Sequence, residues 1–120
     1  MDKKNVLIVE DDLIIQHLIQ ICLKNIGYKV CGTAGTGDEA VASAQKTKPD
    51  FVLMDINLSG RIDGIEAARE IKAHSDARII FLTAFSDEKI IERAKEIHPA
   101  GFILKPFTNN DLRIALELAK

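Results

Sequence analysis

Apolar runs of four or five residues alternate with amphipathic stretches along the chain. Val6–Val9, Tyr28–Ala34, Phe51–Met54, Arg78–Leu82 and Gly101–Leu104 read as strands. Most of these runs show no apolar/polar alternation, which is the pattern of strands covered on both faces. The segments between them have helical spacing. Leu13–Ile26 places Leu13, Ile14, Leu18, Ile21 and Cys22 at that period, and Gly27 stops it. Thr36–Gln45 opens on a capping-box pair, Thr36 and Glu39, and Pro49 closes the connection that follows. Gly64–Ala73 is the third predicted helix. Asp87–Ile97 is the fourth, with Ser86 as its N-cap. Leu112–Ala119 is the last, with Thr108 and Asp111 as its capping pair.

Five strand–helix repeats imply a parallel sheet with helices on both faces. Right-handed crossovers make this a doubly wound α/β fold. The expected architecture is a single five-stranded parallel sheet with five helices; the flavodoxin-like strand order 2-1-3-4-5 is one order this pattern allows, and the one implied by the family resemblance given below. No linker or change of composition divides the chain, so residues 1–120 are read as one domain.

Composition narrows the class. The chain has 120 residues, 47% hydrophobic, with Lys+Arg 16 against Asp+Glu 18. That near balance argues against a broad basic field, so no direct nucleic-acid contact is expected. The two cysteines, Cys22 and Cys31, lie in apolar stretches and are read as reduced and buried, as in a cytoplasmic protein. No apolar run approaches membrane-spanning length. Gly32, Gly35 and Gly37 follow the second strand in the wrong order for a phosphate loop and are assigned to turns and caps. His17, His74 and His98 show no metal-ligand spacing with the cysteines.

The chemistry lies at the strand ends. In open α/β sheets ligands bind beyond the carboxyl ends of the strands. Here the first strand ends in Glu10-Asp11-Asp12, the third in Asp55, the fourth in Thr83 and the fifth in Lys105. A lone acid at a strand end is most often a helix N-cap, and Asp12 fits that role. The set as a whole points elsewhere. If the first and third strands are neighbours, Glu10, Asp11 and Asp55 converge, repel one another and require a cation. Oxygen-only ligands favour a hard ion, with Mg²⁺ first and Mn²⁺ or Ca²⁺ as substitutes. Such a site suits phosphoryl transfer: a carboxylate attacks phosphorus, while metal, Lys105 and the Thr83 hydroxyl stabilise the phosphoryl oxygens.

Over essentially its whole length the sequence resembles the response-regulator receiver family of two-component signalling. The matching stretches are Val6–Asp12, Pro49–Asp55, Asp63-Gly64, Leu82–Ala84 and Gly101–Phe107. The resemblance implies that Asp55 is the phosphorylated residue. It implies that Asp11 is a direct metal ligand, Glu10 an acid acting through water, and Asn57 the donor of a backbone carbonyl to the metal. Thr83 and Phe102 match the switch pair, and Lys105 the lysine that pairs with the phosphoryl group. The Lys105-Pro106 bond would be cis. Two features depart from the family pattern. The segment Asn57–Gly64 lacks the usual proline and looks one residue longer, and Phe102 lacks the hydroxyl of the commoner tyrosine. The phenyl ring could therefore bury fully when inward but cannot hydrogen-bond.

The implied mechanism is a switch. Phosphorylation draws the Thr83 hydroxyl toward Asp55, vacates space for Phe102 and changes the surface around the fourth helix, fifth strand and fifth helix. Ile90, Ile91 and Ala94 are candidates for that surface, although their spacing fits core packing better for most of them. Phe85, two residues after Thr83, is expected to shield the acyl phosphate from water. The implied partners are a sensor histidine kinase or histidine phosphotransfer protein, and a downstream protein or output domain, with the chain a monomer or a phosphorylation-linked dimer. An aspartyl-phosphate phosphatase would need a second acid two residues after the nucleophile, where Asn57 stands. A phosphate-independent interaction module would have lost an acid, the Thr or the Lys, and all are present.

Overall fold

Each of the three central apolar runs folds as a strand because it has an apolar layer waiting on both sides. The computed structural model describes residues 4–84 and 88–119. Its elements are β1 (Asn5–Val9), α1 (Leu13–Asn25), β2 (Lys29–Ala34), α2 (Gly37–Thr47), β3 (Phe51–Asp55), α3 (Gly64–His74), β4 (Arg78–Ala84), α4 (Glu88–Lys95), β5 (Gly101–Lys105) and α5 (Asn109–Leu118). The five strands form one parallel sheet in the order β2-β1-β3-β4-β5. Side chains alternate between its faces. Leu7, Val9, Val52, Met54, Ile79 and Phe81 pack with α2 and α3 residues such as Ala40, Ala44, Ile65 and Ala68. Val6, Ile8, Leu53, Ile80, Leu82 and Ile103 pack with Ile19 and Leu23 of α1 and Leu112 and Leu116 of α5.

The helix starts are set by side-chain caps. Asp12 caps α1, its carboxylate accepting from the N–H groups of Ile14 and Ile15 at 2.9 and 3.2 Å. Thr108 and Asp111 complete a capping box on α5, which starts that helix three residues earlier than its apolar spacing suggests. Asp63 and Glu66 form an equivalent box on α3. The box expected on α2 is only half made. Thr36 accepts from Glu39 N–H, but the Glu39 carboxylate turns to the N–H of Gly35 at 3.2 Å. Ser86 and Asp87, assigned to the start of α4, lie outside the described residues.

One expectation about burial needs correction, and the helical spacing of α1 leaves its buried face open. Along α1 the stripe Leu13, Ile14, Leu18 and Ile21 faces outward, with Leu13 and Ile14 73% and 74% exposed. The residues meeting the core are Ile15, Ile19, Leu23 and Ile26, one position further round the helix. The helix is apolar on two adjacent faces, so spacing alone does not choose between them. Cys22 and Cys31 are free thiols but half-buried rather than buried.

The start of α3 is pressed against the end of β3. A Cβ on Gly64 would lie 2.1 Å from the Asp55 carbonyl oxygen and 3.0 Å from Ile56 Cα. Both neighbours are backbone and cannot swing aside. Gly64→Ala should therefore cost about 3 kcal/mol of stability through overpacking, read as a lower urea midpoint. A midpoint unchanged from the parent would contradict this packing.

Candidate functional site

The register of the sheet brings the polar strand ends together. β1 and β3 are neighbours, paired from Val6↔Phe51 to Val9↔Met54. Glu10 and Asp55 are the next residues on each, and both are buried, 1% and 5% exposed. Asp11 follows Glu10 at the surface. One carboxylate oxygen from each of Glu10, Asp11 and Asp55 lies within 4.8 Å of the others.

Across the sheet, β5 delivers Lys105. Its Nζ lies 2.6 Å from Glu10 Oε1 and 3.4 Å from Asp55 Oδ2. The peptide bond between Lys105 and Pro106 is cis. The other oxygen of Asp55, Oδ1, accepts the backbone N–H of Asn57 at 3.0 Å. Asn57 itself is exposed. Thr83, at the end of β4 and 3% exposed, donates its hydroxyl to the Ala84 carbonyl at 3.0 Å. That single proton is therefore turned to the backbone. Phe102 does not bury: it is 37% exposed, its ring centroid 5.8 Å from that of Phe81. Of the helix positions proposed for a responsive surface, Ala94 is fully buried and Ile90 packs against the core, while Ile91 is half-buried. Phe85 lies outside the described residues.

Burial pushes Glu10 up to about 7, with its hydrogen bond and repulsion toward Asp55 adding to that rise and Lys105 opposing it. Burial pulls the Lys105 ammonium down, but Glu10 and Asp55 outweigh it and the net displacement is upward. One ammonium thus pairs with two buried carboxylates, and a third carboxylate lies beside them at the rim. The donor set is all oxygen, carries more negative than positive charge and lies close enough to share one small cation, which is the chemistry of a hard divalent ion. Glu10, Asp11 and Asp55 fit Mg²⁺ on those grounds.

Several neighbours of the site escape sequence reasoning. Ser59 Oγ reaches Asp11 Oδ2 at 3.5 Å, and Arg61 pairs with Asp38 on α2 at 2.6 Å. Asp63 pairs with Arg93 on α4 at 3.2 Å. These contacts brace the long β3–α3 loop against three other parts of the fold. Only the loop's length signals it in the sequence; its partners lie too far away along the chain.

Residues 6–117 match the family model described as the response regulator receiver domain. The chain belongs to that family. It is 43% identical over 116 residues to the transcriptional regulatory protein PdtaR of Mycobacterium tuberculosis H37Rv, a match covering 97% of this chain and 56% of that protein. The chain thus spans about half the length of this relative. Among solved structures, the signal receiver domain of a modulated diguanylate cyclase from Desulfovibrio desulfuricans G20 superposes with a TM-score of 0.93 at 38% identity, covering 98% of this chain and 94% of that one. The receiver domain of sensor histidine kinase PA1611 from Pseudomonas aeruginosa PAO1 has a magnesium ion coordinated in its active site cleft. It superposes with a TM-score of 0.84 at 32% identity, covering 98% of both chains. Among the described residues no helix is long and apolar enough to cross a membrane.

The position of Glu10 sets a pH dependence. The unfolded chain ionises this group near 4.5, the folded chain only near 7. Between those values the unfolded state holds fewer protons, so stability without a divalent metal falls as pH rises, by on the order of 3 kcal/mol. Mg²⁺ should remove the fall by favouring the carboxylate, and so should Glu10→Gln. Urea midpoints across this window, with and without Mg²⁺, provide the check. A metal-free midpoint that does not fall with pH would contradict the assignment.

Proposed function

We propose that this receiver domain, spanning residues 1–120, is a phosphorylation-dependent switch in which Asp55 accepts a phosphoryl group. The observation that carries the reading is the placement of Asp55. It is a buried carboxylate at the carboxyl end of the central strand β3, facing Lys105 and clustered with two further acids. A nucleophile of this kind needs its own charge screened before an anionic phosphoryl donor approaches. Lys105 supplies part of that screening. Mg²⁺ bound by Asp11 and Asp55, with Glu10 through water and the Asn57 carbonyl, would supply the rest and polarise the phosphoryl oxygens. The Asn57 N–H holds one Asp55 oxygen in place.

In the transfer, an Asp55 oxygen forms a bond to phosphorus as the bond from phosphorus to the donor breaks. A phosphohistidine donor leaves as imidazole, which takes up a proton; acetyl phosphate leaves as acetate. The product is an acyl phosphate. Thr83 then has a better acceptor than its neighbour's carbonyl, and its hydroxyl turns toward the phosphoryl oxygens. The exposed Phe102 ring moves inward behind it. The α4–β5–α5 surface changes, and a downstream protein or output domain reads that change. The donor is a histidine kinase or histidine phosphotransfer protein, and the setting is cytoplasmic. The exposed apolar stripe on α1 begins directly after the acidic turn, so a protein donor that reaches Asp55 covers it.

Incubation with acetyl phosphate and Mg²⁺ should add the mass of one phosphoryl group. Asp55→Asn should abolish the gain, and removal of Mg²⁺ with EDTA should reduce it at least about tenfold. Mass gain that survives Asp55→Asn would overturn the assignment. Ile14→Lys should slow transfer from the cognate protein donor by about tenfold or more, as a desolvated contact is lost, while leaving labelling by acetyl phosphate unchanged. Equal slowing with both donors would show that α1 acts on the site rather than on docking.

A further inference from the structure

The acidic turn is held by a side chain that belongs to none of the roles above. Gln16, half-buried on the first full turn of α1, points back toward β1 and donates its Nε2–H to the Glu10 carbonyl at 3.0 Å. Its own backbone N–H donates to the Asp12 carbonyl at 2.9 Å. Asp12, in turn, caps α1 through the N–H groups of Ile14 and Ile15. The three-residue turn Glu10-Asp11-Asp12 is thereby tied to α1 at both its ends.

The tie at Glu10 bears on Asp11. The Glu10 carbonyl and the Asp11 N–H share one rigid peptide plane. A bond to the carbonyl oxygen restrains that plane, and with it the Cα from which the Asp11 side chain leaves the backbone. This matters because Asp11 lies past the end of β1 (Asn5–Val9), where the strand ladder no longer sets the chain, and because it is the exposed member of the cluster. Its carboxylate has one further restraint, the long contact from Ser59 Oγ. Without Gln16, water could satisfy the Glu10 carbonyl, and the peptide plane would be restrained only through its neighbours, by the Glu10 N–H on the Ala34 carbonyl at 2.9 Å and the Asp12 N–H on Glu10 Oε2 at 3.4 Å.

We infer that Gln16 is a positioning residue for the divalent-metal site, acting through the Glu10–Asp11 peptide plane. This rests on the reading of Glu10, Asp11 and Asp55 as that site. A neutral amide is suited to the task. It donates to the carbonyl while adding no charge, whereas a cationic donor would compete with the metal and an anionic side chain would repel the carbonyl. Gln is also as good a helix former as the alternatives of its length, so α1 makes no sacrifice to place it there.

The test is the Mg²⁺ affinity of the folded protein, measured by calorimetric titration in the absence of any phosphoryl donor, with urea unfolding in EDTA as a parallel measurement. Gln16→Met keeps length and helix propensity but has no donor, and it should weaken Mg²⁺ binding about tenfold. Gln16→Glu separates positioning from simple electrostatics. Added negative charge alone would tighten Mg²⁺, whereas loss of the donor weakens it, so both variants are expected to bind more weakly than the parent. A merely structural staple at the start of α1 would lower the urea midpoint and leave the affinity of the folded protein unchanged. Met-variant binding within about twofold of the parent, or tighter binding by the Glu variant, would overturn the inference. If the parent takes up no Mg²⁺, or takes it up equally after Asp11→Asn, the metal-site reading itself fails and this inference goes with it.

Discussion

Everything at this end of the molecule follows from having two carboxylates buried side by side with a third at the rim and one ammonium between them. Glu10 and Asp55 sit on adjacent strands at nearly the same height, so the sheet that makes the core also forces their charges together. Lys105 is the sole cation bridging them among the described ion pairs, and its short contact is with Glu10 rather than Asp55. The resting site is therefore unbalanced, and Glu10 relieves the imbalance by holding a proton well above the normal carboxylate range. Charge is thus the unresolved quantity of this end of the sheet, and a divalent cation would resolve it.

The rest of the fold positions that cluster and keeps it rigid. Alternating side chains of β1, β3 and β4 fill two apolar layers, so the strand ends have little freedom. Gly64 lets α3 begin hard against the Asp55 carbonyl, and Gly37 leaves room for Ile62, whose Cγ1 would be only 2.6 Å from a Cβ there. The long loop between β3 and α3 is thus wedged down at both flanks and braced by its ion pairs to α2 and α4. Among the described residues, Phe102 makes a ring contact with Phe81, and the Thr83 hydroxyl donates to the carbonyl of its neighbour Ala84.

The parallel sheet was legible in the sequence because strands buried on both faces leave uninterrupted apolar runs; its order was legible only through the resemblance to a family that has it, and the polar residues just beyond the strands then fall at one edge. The cluster of Glu10, Asp11 and Asp55 followed from strand adjacency alone. The outward stripe of α1 was not legible, since Ile14 and Ile15 differ by one position on a helix apolar on both faces and only tertiary packing separates them. Glu39 was assigned to the wrong backbone N–H because a capping box and a bond to the preceding turn share one sequence signature. Gln16, Ser59 and Arg93 carry no motif at all. Their partners are set by how loops and helices lie over the sheet, and that is a property of the folded chain.

The contact between Lys105 and Glu10 joins residues 95 positions apart, nearly the full length of the domain. The last strand of the sheet thus carries the counter-charge for an acid that follows the first. Pairing of β1 with β3 alone brings Glu10 beside Asp55, and the ammonium between them arrives only when β5 pairs with β4, so the two ends of the domain close one polar centre.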